Sequence, residues 1–135
     1  MKKTAPDFLF TDKKDGAVFG LCANLHMASR VAQSAKVCRL SAHNFDRAEA
    51  LLTHLRQTKP VLIVMDLDSC EAEAFKVLKE LRQNAEFKGV ATIGAVSSGA
   101  NNPVKEEAQR AGCHRAYTKT EFLKDLDLIL ARYVS

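Results

Sequence analysis

From residue 17 onward, short apolar runs alternate with segments whose apolar residues recur at helical spacing. Residues 17–22 are almost all apolar and read as a strand, after which Leu25, Ala28, Val31, Ala32 and Ala35 fall on one face of a helix ending at Lys36. Residues 37–40 read as a second short strand, and Asn44 as the cap of a helix whose inner face is Phe45, Ala48, Leu51, Leu52 and Leu55, closed before Pro60. Residues 61–65 are purely aliphatic, as a central parallel strand buried on both faces requires. Ser69 is placed to cap the next helix, with Glu71 and Glu73 in its first turn and Ala74, Val77, Leu78 and Leu81 inward.

Gly89 punctuates that helix, and residues 91–96 form a fourth strand. Asn102 and Pro103 suit the cap and first position of a fourth helix that Gly112 ends. Residues 114–118 form a fifth strand, and Thr120 caps a last helix with Leu123, Leu126, Ile129, Leu130 and Tyr133 inward. Five β-α units predict a doubly wound α/β fold, a parallel five-stranded sheet with helices on both faces and right-handed crossovers. Residues 1–16 stand outside the repeat as an N-terminal extension; Asp7, Phe8, Leu9 and Phe10 there read as an extra strand or a surface segment, and Asp15-Gly16 as a turn.

Composition narrows the class. A 135-residue chain with 47% hydrophobic and 27% charged residues supports one globular domain, here residues 17–135, and is neither disordered nor low-complexity. The longest aliphatic run is far below the roughly 20 residues of a membrane span, so a cytoplasmic location is expected. The net charge of +4 comes from basic residues scattered among acidic ones, not from a stripe that would mark a nucleic-acid binder. Cys22, Cys38, Cys70 and Cys113 are too widely spaced for a zinc site or a redox pair and read as buried small hydrophobes. His26, His43, His54 and His114 show no ligand spacing either.

Candidate chemistry lies at the strand ends, where ligands bind in open parallel sheets. Asp66 closes the third strand, Ser97 closes the fourth and Lys119 follows the fifth. A carboxylate, a hydroxyl and an ammonium on one rim suit phosphoryl chemistry: the first attacks phosphorus, the second donates to a phosphoryl oxygen, the third neutralises charge.

The segments VLIVMD (61–66), TIGAVS (92–97) and AGCHRAYTK (111–119) carry a resemblance to the receiver domains of two-component response regulators. Asp66, Ser97 and Lys119 are separated by 31 and 22 positions, similar to receiver spacing, and residues 25–30 resemble that family's first helix. The resemblance implies a flavodoxin-like sheet of order 2-1-3-4-5, Asp66 as phosphoacceptor, Ser97 as switch hydroxyl and Lys119 as the conserved lysine. It also implies a protein partner: a histidine kinase, a phosphotransfer protein, a downstream target or a second copy in a homodimer. On this reading no DNA-binding output domain is expected, and any effect is expected to pass through such a partner, commonly by the face that here holds Lys105, Glu106, Gln109, Tyr117 and Lys124.

The chain departs from the receiver pattern at the metal site and the switch. Receivers hold Mg²⁺ with an acidic pair after the first strand, where this chain has Cys22 and Ala23 with only Asn24 to offer an oxygen. Asp66 alone is therefore expected to bind Mg²⁺ weakly, and no other cofactor is implied. Thr120 replaces the proline after the lysine, so that bond is expected to be trans. Ala116 stands at the switch aromatic with Tyr117 beside it, and Asp68-Ser69-Cys70 replaces the Met-Pro turn. The reading is a divergent stand-alone receiver with impaired phosphorylation, enzymatic at most toward its own Asp66. A rival reading comes from Asp66-Leu67-Asp68, which resembles the first motif of haloacid-dehalogenase-type phosphatases, with Asp66 nucleophile and Asp68 general acid.

Overall fold

Strand β3 (Leu62–Asp66) sets the architecture, because all five of its residues are buried and it is hydrogen-bonded on both edges. In the computed structural model, which describes residues 16–97 and 103–134, β1 (Ala17–Leu21) and β4 (Ala91–Val96) flank it. Outside these run β2 (Ser41–Phe45) and β5 (Arg115–Thr118), completing a fully parallel sheet of order β2-β1-β3-β4-β5. The doubly wound class is the one the repeat predicts, and the order is the flavodoxin-like one that the resemblance implies.

Side chains alternate between two cores. Val18, Leu62, Val64, Ile93 and Ala95 meet α1 (Leu25–Val37), α5 (Lys119–Lys124) and α6 (Leu126–Ala131). Phe19, Leu21, Ile63 and Met65 meet α2 (Ala48–Leu55) and α3 (Glu71–Gln83), with Ala108 of α4 (Val104–Arg110) joining that side. Apolar residues on both faces of β1 and β3 are what allows helices to cover both sides.

The second strand is displaced from its expected place. Val37 belongs to the last turn of α1, Arg39 turns the chain at φ 63°, and β2 starts only at Ser41. Four of its five residues are exposed, because an edge strand with one neighbour needs no apolar pattern. Asn44 accordingly caps no helix; it lies in β2 and its Nδ2 donates to the Cys22 carbonyl at 2.9 Å. Helix α2 begins at Ala48, whose amide donates to Glu73 Oε1. Helix α1 is also rotated: Leu25 is 82% exposed, while Met27 and Ser34 are buried, Ser34 Oγ donating to Asp127 Oδ1 on α6.

At the C-terminal end, Thr118 and not Thr120 caps α5. Its Oγ1 accepts from the Glu121 amide while Glu121 Oε1 accepts from the Thr118 amide, a reciprocal capping box. The expected single last helix breaks at Asp125 into α5 and α6, and Phe122, fully buried, joins its inner face. Ser69 likewise caps nothing; α3 is preceded by Cys70, which makes no side-chain cap bond. Gly112 ends α4 at φ 115°, where a Cβ would crowd the Arg82 side chain. The segment around Phe8 and the cap expected at Asn102 lie outside the described residues.

Candidate functional site

Strands β3, β4 and β5 are adjacent and parallel, so their carboxyl ends open onto one rim, and Asp66, Ser97 and Lys119 are brought together there. Asp66 is 0% exposed. Its Oδ1 accepts from the Asp68 amide at 2.9 Å, the Ser69 amide at 3.3 Å and Lys119 Nζ at 3.1 Å. Its Oδ2 accepts from Ser69 Oγ at 2.8 Å and lies 3.5 Å from Cys22 Sγ. Burial by itself would push the Asp66 carboxyl up, but the Asp68 amide, the Ser69 hydroxyl and the lysine outweigh it, and the pKa lies below the ordinary 3.8.

Lys119 is shared. Its Nζ also lies 3.0 Å from Asp68 Oδ2, so one ammonium bridges two carboxylates, and these bonds raise its pKa despite burial. Ser97 does not reach Asp66; its hydroxyl donates to Asp68 Oδ2 at 2.6 Å, and its amide approaches both Asp68 oxygens at 3.1 and 3.2 Å. Burial opposes ionisation of Asp68, yet the Ser97 and Lys119 bonds carry its pKa below the ordinary value too. Asp68 and Ser69 are thus parts of the site that strand-end reasoning left out. The doublet Asp68-Ser69 just past a buried strand was the signal available, since a short polar loop there can only turn back over the rim.

The metal positions are occupied otherwise. Cys22 is buried, its thiol 3.2 Å from the Asn24 carbonyl, and burial pushes its pKa up to about 11. Ala23 offers only its amide, which donates to Ser69 Oγ at 3.1 Å. Asn24, the remaining oxygen donor, is spent as the cap of α1, its Oδ1 accepting from the Met27 amide. Mg²⁺ takes oxygen ligands in near-octahedral geometry. Here Cys22 brings a thiol to the carboxylate and Ala23 has no side-chain oxygen, the oxygens of Asp66 already accept other donors, and the described residues hold no group of three His, Cys, Asp or Glu able to bind a metal. The residues present do not fit that ion.

The switch positions separate. Ala116, opposite Gly94, is buried. Tyr117 turns to the other face, its ring 6.2 Å from Phe122 and its hydroxyl buried with no hydrogen-bond partner among the described residues. The Lys119–Thr120 bond is trans. Lys105, Glu106 and Gln109 stand on α4, Tyr117 on β5 and Lys124 on α5, with both helices packed against that strand. Asp127 points to Ser34 on the α1 face and does not join the rim.

No family model and no curated protein sequence matches the chain. Solved structures do. A response regulator from Hahella chejuensis is 15% identical at a TM-score of 0.76, covering 89% of this chain and 96% of its own. The receiver domain of a sensor histidine kinase from Pseudomonas aeruginosa, with a magnesium ion coordinated in its active-site cleft, is 13% identical at 0.73, covering 88% and 97%. A chemotaxis response regulator from Vibrio cholerae is 13% identical at 0.72, covering 87% and 98%. With its five parallel strands in the order β2-β1-β3-β4-β5 and helices on both faces, this chain has the fold of response-regulator receiver domains.

Proposed function

We propose that the chain is a divergent receiver domain of a two-component-type phosphorelay that acts by contact with another protein, with Mg²⁺-dependent phosphorylation of Asp66 impaired or lost. One observation carries this reading: the acceptor carboxylate has no exposed surface, and both its oxygens are held by Asp68, Ser69 and Lys119. For Asp66 to attack phosphorus, an oxygen must leave these donors while no neighbouring carboxylate holds a cation to offset the incoming charge. Cys22 and Ala23 supply none, so Mg²⁺ affinity is weak.

The partner in this reading is a histidine kinase, a phosphotransfer protein or a downstream target, or a second copy of the chain. Its docking face is that of α4, β5 and α5, where Glu106, Gln109 and Lys124 are exposed. The reading places the chain and its partner in the cytoplasm; no helix among the described residues is long and apolar enough to cross a membrane. The phosphatase alternative is not favoured, because the acids it would recruit late in the chain, Asp125 and Asp127, lie in or beside α5 and α6 and Asp127 bonds to Ser34.

Acetyl phosphate titration with and without Mg²⁺, followed by intact mass, tests the reading. The expected result is little or no adduct in either condition. Stoichiometric phosphorylation that depends on millimolar or lower Mg²⁺ would overturn the impaired-acceptor assignment.

A further inference from the structure

The carboxylate of Asp68 does not behave as a helix-entry residue. Among the described residues no amide of α3 donates to it, and the donors it accepts from are Ser97 and Lys119. A main-chain N–H, a hydroxyl and an ammonium therefore converge on one small anion: Ser97 N at 3.1 Å, Ser97 Oγ at 2.6 Å and Lys119 Nζ at 3.0 Å from the same oxygen. Such a set, made of an oriented backbone dipole, a rotatable O–H and a cation, is how proteins hold an oxyanion ligand. Two strands supply it, since Ser97 follows β4 and Lys119 follows β5, 22 positions later. The anion comes from a third element, the loop after β3.

We propose that Asp68 is a resident oxyanion: its carboxylate fills an anion-binding site built by Ser97 and Lys119, and so keeps the β4 and β5 rim in its anion-occupied arrangement with no ligand from outside. The ligand class of the vacated site is a small oxyanion, a carboxylate or a phosphate. The site is within reach of solvent, the side chains of Asp68 and Lys119 being 31% and 22% exposed. A free anion does not displace the natural occupant at ordinary concentrations, because a tethered group presents itself at an effective concentration in the millimolar range or above. Asp68 also stays anchored from behind, its amide donating to Asp66 Oδ1 at 2.9 Å, so the loop that carries the anion is fixed by the acceptor it shields. The consequence for signalling rests on the proposed function: donors that would otherwise answer a phosphoryl group on Asp66 are already engaged, and the module is held in one state.

Removing the occupant tests the site directly. Natural protein and Asp68→Ala are titrated with sodium formate and, separately, with inorganic phosphate, against sodium chloride at matched ionic strength. The Ser97 amide is followed in a proton-nitrogen correlation spectrum and the melting temperature is read in parallel. In Asp68→Ala the amide is expected to shift saturably at millimolar anion, with a rise in melting temperature, and both responses should vanish when Lys119→Met is added; the natural protein should not respond. A response to formate alone marks a site shaped for a planar carboxylate, and a response to phosphate one that admits a tetrahedral anion. If Asp68→Ala unfolds, Asp68→Asn serves, and should show the same saturable shift more weakly. A folded variant that responds to neither anion, or a natural protein that responds equally, overturns the proposal. Neither outcome depends on transfer of phosphorus to Asp66, so this result and the acetyl phosphate result fail separately.

Discussion

Lys119 Nζ lies 3.1 Å from Asp66 Oδ1, which ties the start of α5 to a carboxylate that has no contact with solvent. The two residues are 53 positions apart, and nothing between them in the sequence would hold them together without β3, β4 and β5 lying side by side.

Breaking that pair should be costly. Truncating the lysine leaves an ionised, desolvated carboxylate, and loss of one partner of a buried pair costs on the order of 3–5 kcal/mol. Lys119→Met should therefore destabilise by about 3 kcal/mol in urea melts, and Ser97→Ala, which leaves the Ser97 amide and Lys119 on Asp68, by about 1 kcal/mol. Asp66→Asn combined with Lys119→Met should recover part of the loss, because the stranded charge is gone. Strictly additive effects below 1 kcal/mol would show that the pair contributes nothing in solution.

The same network predicts a two-sided pH profile. Asp66 and Asp68 have folded pKa values below the ordinary 3.8, so their contribution is present above that value and is lost as pH falls through the lower folded values. Lys119 is raised above its ordinary 10.5, so its contribution is complete below 10.5 and disappears as pH rises through the raised value. Melting temperature should hold a plateau between these limits. Asp66→Asn with Asp68→Asn should flatten the acid limb, and an unchanged acid limb would contradict the assignment.

Restoring acids at the metal positions should create a cation site. Cys22→Asp with Ala23→Asp places two more carboxylates beside Asp66, which repel one another until a hard cation joins them. The double variant should melt lower than the natural protein without Mg²⁺ and gain stability as Mg²⁺ is added. Calorimetric affinity for Mg²⁺ should rise at least tenfold, and equal affinities would refute the assignment of these two positions.

Helix α5 offers a local test of which threonine is its cap. Thr118 closes the reciprocal pair with Glu121, whereas Thr120 is exposed inside the first turn. Thr118→Ala should cost about 1 kcal/mol and Thr120→Ala a few tenths at most, by thermal or urea melts. The reverse order would place the start of the helix two residues later.

Tyr117 buries a hydroxyl that has no partner among the described residues. Removing an unsatisfied polar atom and keeping the ring should be neutral or favourable, so Tyr117→Phe is expected to hold or raise stability by up to about 1 kcal/mol. A loss of more than that would reveal a hydrogen bond the hydroxyl makes in solution.

What the sequence determined by itself is the layered architecture and the rim. Strands buried on both faces are mostly apolar, so β1, β3 and β4 are visible as largely apolar runs broken only by the buried Asp66 and Thr92, and α3 is visible because a half-buried helix repeats its apolar face every three to four positions. Parallel strands joined by helical crossovers put every strand's carboxyl end on one edge, which is why Asp66, Ser97 and Lys119 could be grouped from their positions alone. Tertiary structure decided the rest. Strand β2 pairs through its backbone and leaves four of five side chains in water, so no apolar pattern marked it. Ser69 could cap a helix or serve Asp66, and Asp68 could face a helix dipole or Ser97. Ser69 turns back on an acceptor three positions away, and for Asp68 the choice turns on donors within about 3 Å that come from residues 29 and 51 positions away. A hydrogen bond is short-ranged while the chain between its partners is long, so only the folded backbone could assign Asp68 to Ser97 and Lys119.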